Sequence, residues 1–130
     1  MLGIDTNILL RWLIADETAG PQAGLAQQLM VSGQEVMISP IVLAEFSWVA
    51  ERSFGLGRKE LVHLLTEIAS GSMIIVPDRD VVLAAIEGFA NGGPGFADHL
   101  IAALNSATGC STTLTFDKTA AKSKNFTLLT

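Results

Sequence analysis

The stretch Leu2-Gly3-Ile4-Asp5-Thr6-Asn7-Ile8-Leu9-Leu10-Arg11 decides how the rest of the chain is read. A short apolar run, Leu2 to Ile4, ends at an acid, and apolar residues at helical spacing (Ile8, Leu9, Trp12, Leu13) begin at once. The pattern predicts a strand, then Asp5, then a helix. In an open α/β sheet, residues just past the carboxyl end of a strand face the crevice where ligands bind, which places Asp5 for chemistry.

The same alternation continues downstream. After a polar break at Asp16-Glu17-Thr18, Thr18 and Pro21 supply the cap and first turn of a helix over 19–32. Val36-Met37-Ile38 reads as a short strand, and Ser39-Pro40 starts a helix over 40–54. Leu61, Leu64, Leu65 and Ile68 mark an amphipathic helix over 58–69. Met73-Ile74-Ile75-Val76 is a continuous apolar run of the kind buried on both faces of a parallel sheet. A helical pattern returns over 81–89, and a further helix spans 98–106. A strand over 111–116, a short helix over 117–122 and a last strand over 126–129 complete the chain. The glycine-rich segment Asn91-Gly92-Gly93-Pro94-Gly95 reads as a loop, since its spacing matches neither standard phosphate-cradling motif. Five strand candidates alternating with helices predict one α/β domain over 1–130. Its expected form is a three-layer α/β/α sandwich around a central, mainly parallel sheet of about five strands.

Composition bounds the partners. The 130 residues are 49% hydrophobic, enough for one substantial core and on the high side for a chain of this size. Cys110 is the only cysteine, which excludes an intramolecular disulfide and suits a reducing compartment; its simplest role is a small buried apolar residue. There is no signal-like N-terminus, and the apolar runs are too short to span a bilayer, so a cytoplasmic protein without a membrane partner is expected. The formal charge is -5, from thirteen acids against eight bases. If four acids sat together on a metal ion, thirteen less four would leave nine against eight, and phosphate could still approach.

Four acids stand out. Asp5, Asp98 and Asp117 each open a helix, where aspartate commonly serves as a cap or a partner for the helix dipole. Glu45 lies within Ile41-Val42-Leu43-Ala44-Glu45-Phe46-Ser47-Trp48-Val49-Ala50, with Ile41, Trp48 and Val49 as its helical neighbours. A carboxylate on so apolar a face is costly unless paired, with Arg52 or Arg11 available, or bound to a metal. The expected topology puts all four near the carboxyl ends of parallel strands, where they could converge on one crevice. Converging carboxylates require a compensating cation, and a hard ion such as Mg2+ or Mn2+ suits all-oxygen ligands.

With these residues in view, the chain resembles a PIN-domain ribonuclease, and most of all the VapC toxin of VapBC toxin-antitoxin pairs. The resemblance is carried by Asp5-Thr6-Asn7-Ile8-Leu9-Leu10-Arg11, Ser39-Pro40-Ile41-Val42-Leu43-Ala44-Glu45, Phe96-Ala97-Asp98-His99-Leu100-Ile101-Ala102-Ala103 and Leu114-Thr115-Phe116-Asp117-Lys118, in the family's order. It implies that Asp5, Glu45, Asp98 and Asp117 bind Mg2+ or Mn2+ and act in catalysis, with Thr6, Asn7 and Thr115 supporting them. It further implies endoribonuclease action on single-stranded or loop RNA, a homodimer, and inhibition by a cognate antitoxin whose C-terminal segment fills the active-site groove. In such a site a metal lowers the pKa of a bound water and a carboxylate helps take its proton during in-line attack.

Arg11, Lys118 and Lys122 are candidates for RNA phosphates, with a solvated surface as the plainer role for each. His63 reads as a surface or boundary residue. His99 follows Asp98, but successive helical residues point about 100 degrees apart, so it is given no role as ligand or base. Trp12, Phe46, Trp48 and Phe116 read as core in preference to base-stacking platforms. Among rivals, a haloacid-dehalogenase-type enzyme wants a second acid where Asn7 stands, and a receiver domain wants an acidic pair near Asp5. A non-enzymatic PIN-like binding module and a PIN nuclease of RNA processing without an antitoxin are the remaining alternatives.

Overall fold

The computed structural model describes residues 1–14 and 20–130. The polar break at Asp16-Glu17-Thr18 and the Thr18 cap lie outside the described residues. Where local signals were strong, they act as read. Strand β1 (Leu2–Gly3) feeds helix α1 (Thr6–Leu13), and Pro21 occupies the first turn of α2 (Pro21–Met30). Strand β2 (Val36–Met37) leads to α3 (Pro40–Phe54), where the Ser39 side chain accepts the Val42 N–H and Pro40 takes the first helical position. Gly55, at φ 66°, ends α3 in the left-handed conformation that glycine adopts without a Cβ penalty. Helix α4 (Arg58–Ser70), strand β3 (Ile74–Ile75), helix α5 (Arg79–Ala90) and helix α6 (Phe96–Ala107) follow. Strand β4 (Thr113–Thr115), a 3-10 turn at Ala120–Lys122 and strand β5 (Phe126–Leu128) end the chain.

All pairings are parallel, as expected, and the protein is an α/β sandwich. The five strands, however, do not share one sheet. β2 lies between β1 and β3, with Leu2 opposite Val36 and Val36 opposite Ile74, whereas β4 and β5 form a separate two-stranded sheet among the described residues. The residues suggest why. Ile4, Val36, Ile38, Ile74 and Val76 are buried, so the three-stranded sheet is a core element. β4 reads Thr-Leu-Thr, and its one large apolar side chain, Leu114, is 58% exposed. Such a strand gains little by insertion into the sheet centre. The β4–β5 unit keeps its own small cluster of Ala102, Ala120 and Phe126.

The main core is built by Leu9, Ile38, Leu43, Phe46, Leu61, Leu65, Ile68, Val82, Phe89 and Phe96. Phe89 and Phe96 meet edge to face with ring centroids 6.2 Å apart, which joins α5 to α6. α1 packs on α2 and α3, α3 on α6, and α5 on both α4 and α6. Three expectations are corrected. Trp48 and Phe116 are 53% and 80% exposed, so neither is core, and Cys110 is exposed. Trp48 carries the Arg52 guanidinium 4.4 Å above its ring, which uses the arginine proposed as a partner for Glu45. Among the described residues, no helix is long and apolar enough to cross a membrane.

Candidate functional site

Asp5 ends the first strand and caps the first helix. Its backbone is extended, and its carboxylate accepts the Ile8 N–H at 3.1 Å, satisfying one of the free donors of the first turn. The carboxylate is exposed and borders a cleft of about 640 Å³ between α1 and α2, along with Asn7, Arg11 and Gln22. Apolar Ile8, Leu25, Ala26 and Leu29 complete the cleft. Arg11 donates from Nε to Gln22 Oε1 at 3.2 Å, which orients the guanidinium along the cleft wall. Gln22 carried no signal in the sequence, because its position depends on how α2 folds back on α1.

Thr6 is the link to the second acid. It is 8% exposed, and its hydroxyl donates to Glu45 Oε1 across 39 positions of sequence. One carboxylate of α3 is thereby tied to the residue beside Asp5. The burial expected for Glu45 is reversed. Glu45 is exposed, and its neighbours Ile41 and Trp48 are 79% and 53% exposed, so this face of α3 points to water while Leu43, Phe46, Ser47 and Ala50 point inward. Neither Arg11 nor Arg52 forms an ion pair with it among the described residues.

Asp98 lies in the first turn of α6, two residues later than an opening position, and is half-buried. Asp117 is exposed and builds its own turn, accepting the Thr119 N–H at 2.8 Å and the Ala120 N–H at 3.3 Å. Thr115 supports that turn, its hydroxyl accepting the Asp117 N–H at 3.0 Å. Lys118 and Lys122 are both exposed on the same unit. The structure thus places Asp5, Asn7 and Arg11 on one cleft and ties Glu45, which does not itself line that cleft, to Thr6 beside Asp5 in the chain. Neither Asp98 nor Asp117 lines the α1–α2 cleft, and Asp117 rides on the separate two-stranded sheet. Among the described residues, no three His, Cys, Asp or Glu side chains are grouped closely enough to hold a metal ion.

The donor chemistry nevertheless fits a hard divalent cation. Asp5 and Glu45 offer only oxygen, and Mg2+ is commonly held by one or two carboxylates with water and substrate oxygens completing its shell. His63 is remote from this chemistry, exposed on α4 and 3.1 Å from Glu67 one turn on. His99, by contrast, is buried, and its Nε2 donates to the Gly92 carbonyl at 2.9 Å.

No curated protein matches the chain. The PIN domain family profile matches residues 3–125, nearly the whole length of the chain. The chain belongs to the PIN domain family, whose fold is that of a nuclease.

Proposed function

We propose that this protein is a metal-dependent endoribonuclease and the toxin component of a type II toxin-antitoxin pair. The observation that carries the reading is the Thr6–Glu45 hydrogen bond, which joins a second carboxylate to the Asp5 junction in a chain of nuclease fold. Asp5 and Glu45 and, by family resemblance, Asp98 and Asp117 would hold Mg2+ or Mn2+, which would lower the pKa of a water and neutralise charge at phosphate. Thr6 orients Glu45, Asn7 and Arg11 line the approach to Asp5, and Thr115 orders the Asp117 turn. A carboxylate beside the reacting water accepts its proton. Arg11, Lys118 and Lys122 are the cations for the RNA backbone.

The same reading makes the protein a cytoplasmic homodimer, held in check by a cognate antitoxin that occupies the groove. Ile41, Trp48 and Ile101, left open on α3 and α6, offer apolar surface for such contacts. One observation favours a second reading, the non-enzymatic binding module: no three acids are gathered for a metal among the described residues.

One experiment separates the two. Purified protein is incubated with a mixed pool of single-stranded and transfer RNA in Mg2+, in Mn2+ or in EDTA, beside Asp5→Asn. Cleavage that needs the ion and vanishes in the variant supports the nuclease; intact RNA throughout, with folded protein, supports the binding module. Loss of cleavage on adding the product of a small neighbouring gene identifies the antitoxin, and its absence points to a PIN nuclease of RNA processing.

A further inference from the structure

A second cleft, of about 650 Å³, is separate from the α1–α2 cleft and shares no lining residue with it. It is bounded by the glycine loop that precedes α6 and by the Thr119 to Phe126 segment. Lys122 and Lys124 line it, with Thr119, Ser123 and His99, and no carboxylate does so among the described residues. In a protein with thirteen acids and eight bases, a cleft with two cations and no acid is a marked local reversal of charge.

Glycines let the walls pack tightly on the cleft's side chains: a Cβ on Gly88 of α5 would come within 2.8 Å of His99 Nδ1, and one on Gly93 of the loop within 2.5 Å of Ser123 Oγ. Gly93 also has φ +76°, a conformation that side chains other than glycine's rarely adopt. The loop carbonyls that would repel an anion are occupied. His99 Nε2 donates to Gly92 O at 2.9 Å, and Arg58 Nη2 donates to Gly93 O at 2.9 Å. Arg58 also donates to Phe89 O at 2.7 Å while stacked 4.5 Å from the Phe89 ring, which fixes the loop from behind. Lysines and hydroxyls facing a glycine wall with neutralised acceptors form a place for a phosphate group.

Position names its source. His99 follows Asp98 directly, and Thr119 donates its N–H to Asp117, so the cleft adjoins two of the four acids. We propose that this cleft is a phosphate subsite for the backbone of single-stranded RNA, next to the phosphodiester presented to the acids, with Lys122 and Lys124 as its charged contacts. The naming of RNA rests on the nuclease reading; the anion chemistry rests on the cleft itself.

The test measures binding of a short oligouridylate to full-length Asp5→Asn protein in EDTA, across a salt series, with and without Lys122→Ala and Lys124→Ala. Each lysine should lower the salt slope by about 0.7, the counterion release expected of a single strand. Lys59→Ala, exposed on α4 outside the cleft, should leave the slope unchanged. Amide NMR should show oligouridylate shifting Gly92, Gly93 and Lys124. Unchanged affinity and slope in the double variant, or shifts confined to the Asp5 cleft, would overturn the subsite. Shifts with inorganic phosphate but none with oligouridylate would overturn its assignment to RNA. Slope loss in these variants, together with wild-type protein that never cleaves RNA in Mg2+ or Mn2+, would support the subsite and count against the nuclease.

Discussion

Asp5 caps α1 and, in the proposed function, holds the metal, and one pair of substitutions separates the two roles. As a cap it uses a carboxylate oxygen to accept the Ile8 N–H at 3.1 Å, and asparagine does the same with its amide oxygen. Asp5→Asn therefore keeps the cap and loses only the favourable charge at the helix N-terminus, about 0.3 kcal/mol for an exposed group. Asp5→Ala loses the cap as well, about 1 kcal/mol more. Unfolding entropy of about 2.1 cal/mol/K per residue gives 130 residues about 0.27 kcal/mol/K, so Tm should fall by about 1 °C for Asn and about 5 °C for Ala. Thermal unfolding followed by circular dichroism reads the first effect, and metal-dependent RNA cleavage reads the second. Both variants should be inactive while only Ala is measurably less stable. Retained cleavage in Asp5→Asn would refute the catalytic role, and an equal Tm loss in both would refute the capping geometry.

Three further outcomes follow from the packing. Thr6→Val removes the donor to Glu45 and should cost about 1 kcal/mol in a urea titration and lower cleavage, while Thr6→Ser restores both. Phe46→Ala, at a fully buried position, should cost about 3–5 kcal/mol, whereas Phe116→Ala, 80% exposed, should stay within about 0.5 kcal/mol by the same titration. Gly93→Ala should destabilise by about 1–2 kcal/mol through its positive φ, with the close approach to Ser123 Oγ adding to it. Ser123→Ala in the same chain should recover the steric part, giving a double-mutant coupling of at least about 0.5 kcal/mol.

The site was partly legible in the chain. Asp5, Thr6, Asn7 and Arg11 come within seven residues of each other, so the strand-to-helix signal placed them together without any distant contact. Glu45 was singled out through an expected burial that the structure reverses, because which face of a helix turns inward is decided by its neighbours. The glycine loop and Lys122 were visible as separate features, while Ser123 and Lys124 carried no signal until folding joined them to the loop through His99.

By itself the sequence determined the order of strands and helices and several of their caps, among them Asp5 and Ser39. Ser39-Pro40, Gly55 and Asp5 act on backbone groups within one turn, so no other part of the chain has to be known. Only the tertiary structure decided how the strands divide into sheets and which acid meets which hydroxyl. β4 has to choose between partners, and Thr113-Leu114-Thr115 carries too little apolar surface to make insertion into the central sheet the winning choice. That choice depends on the surface each arrangement removes from water, a quantity summed over residues far apart in the chain.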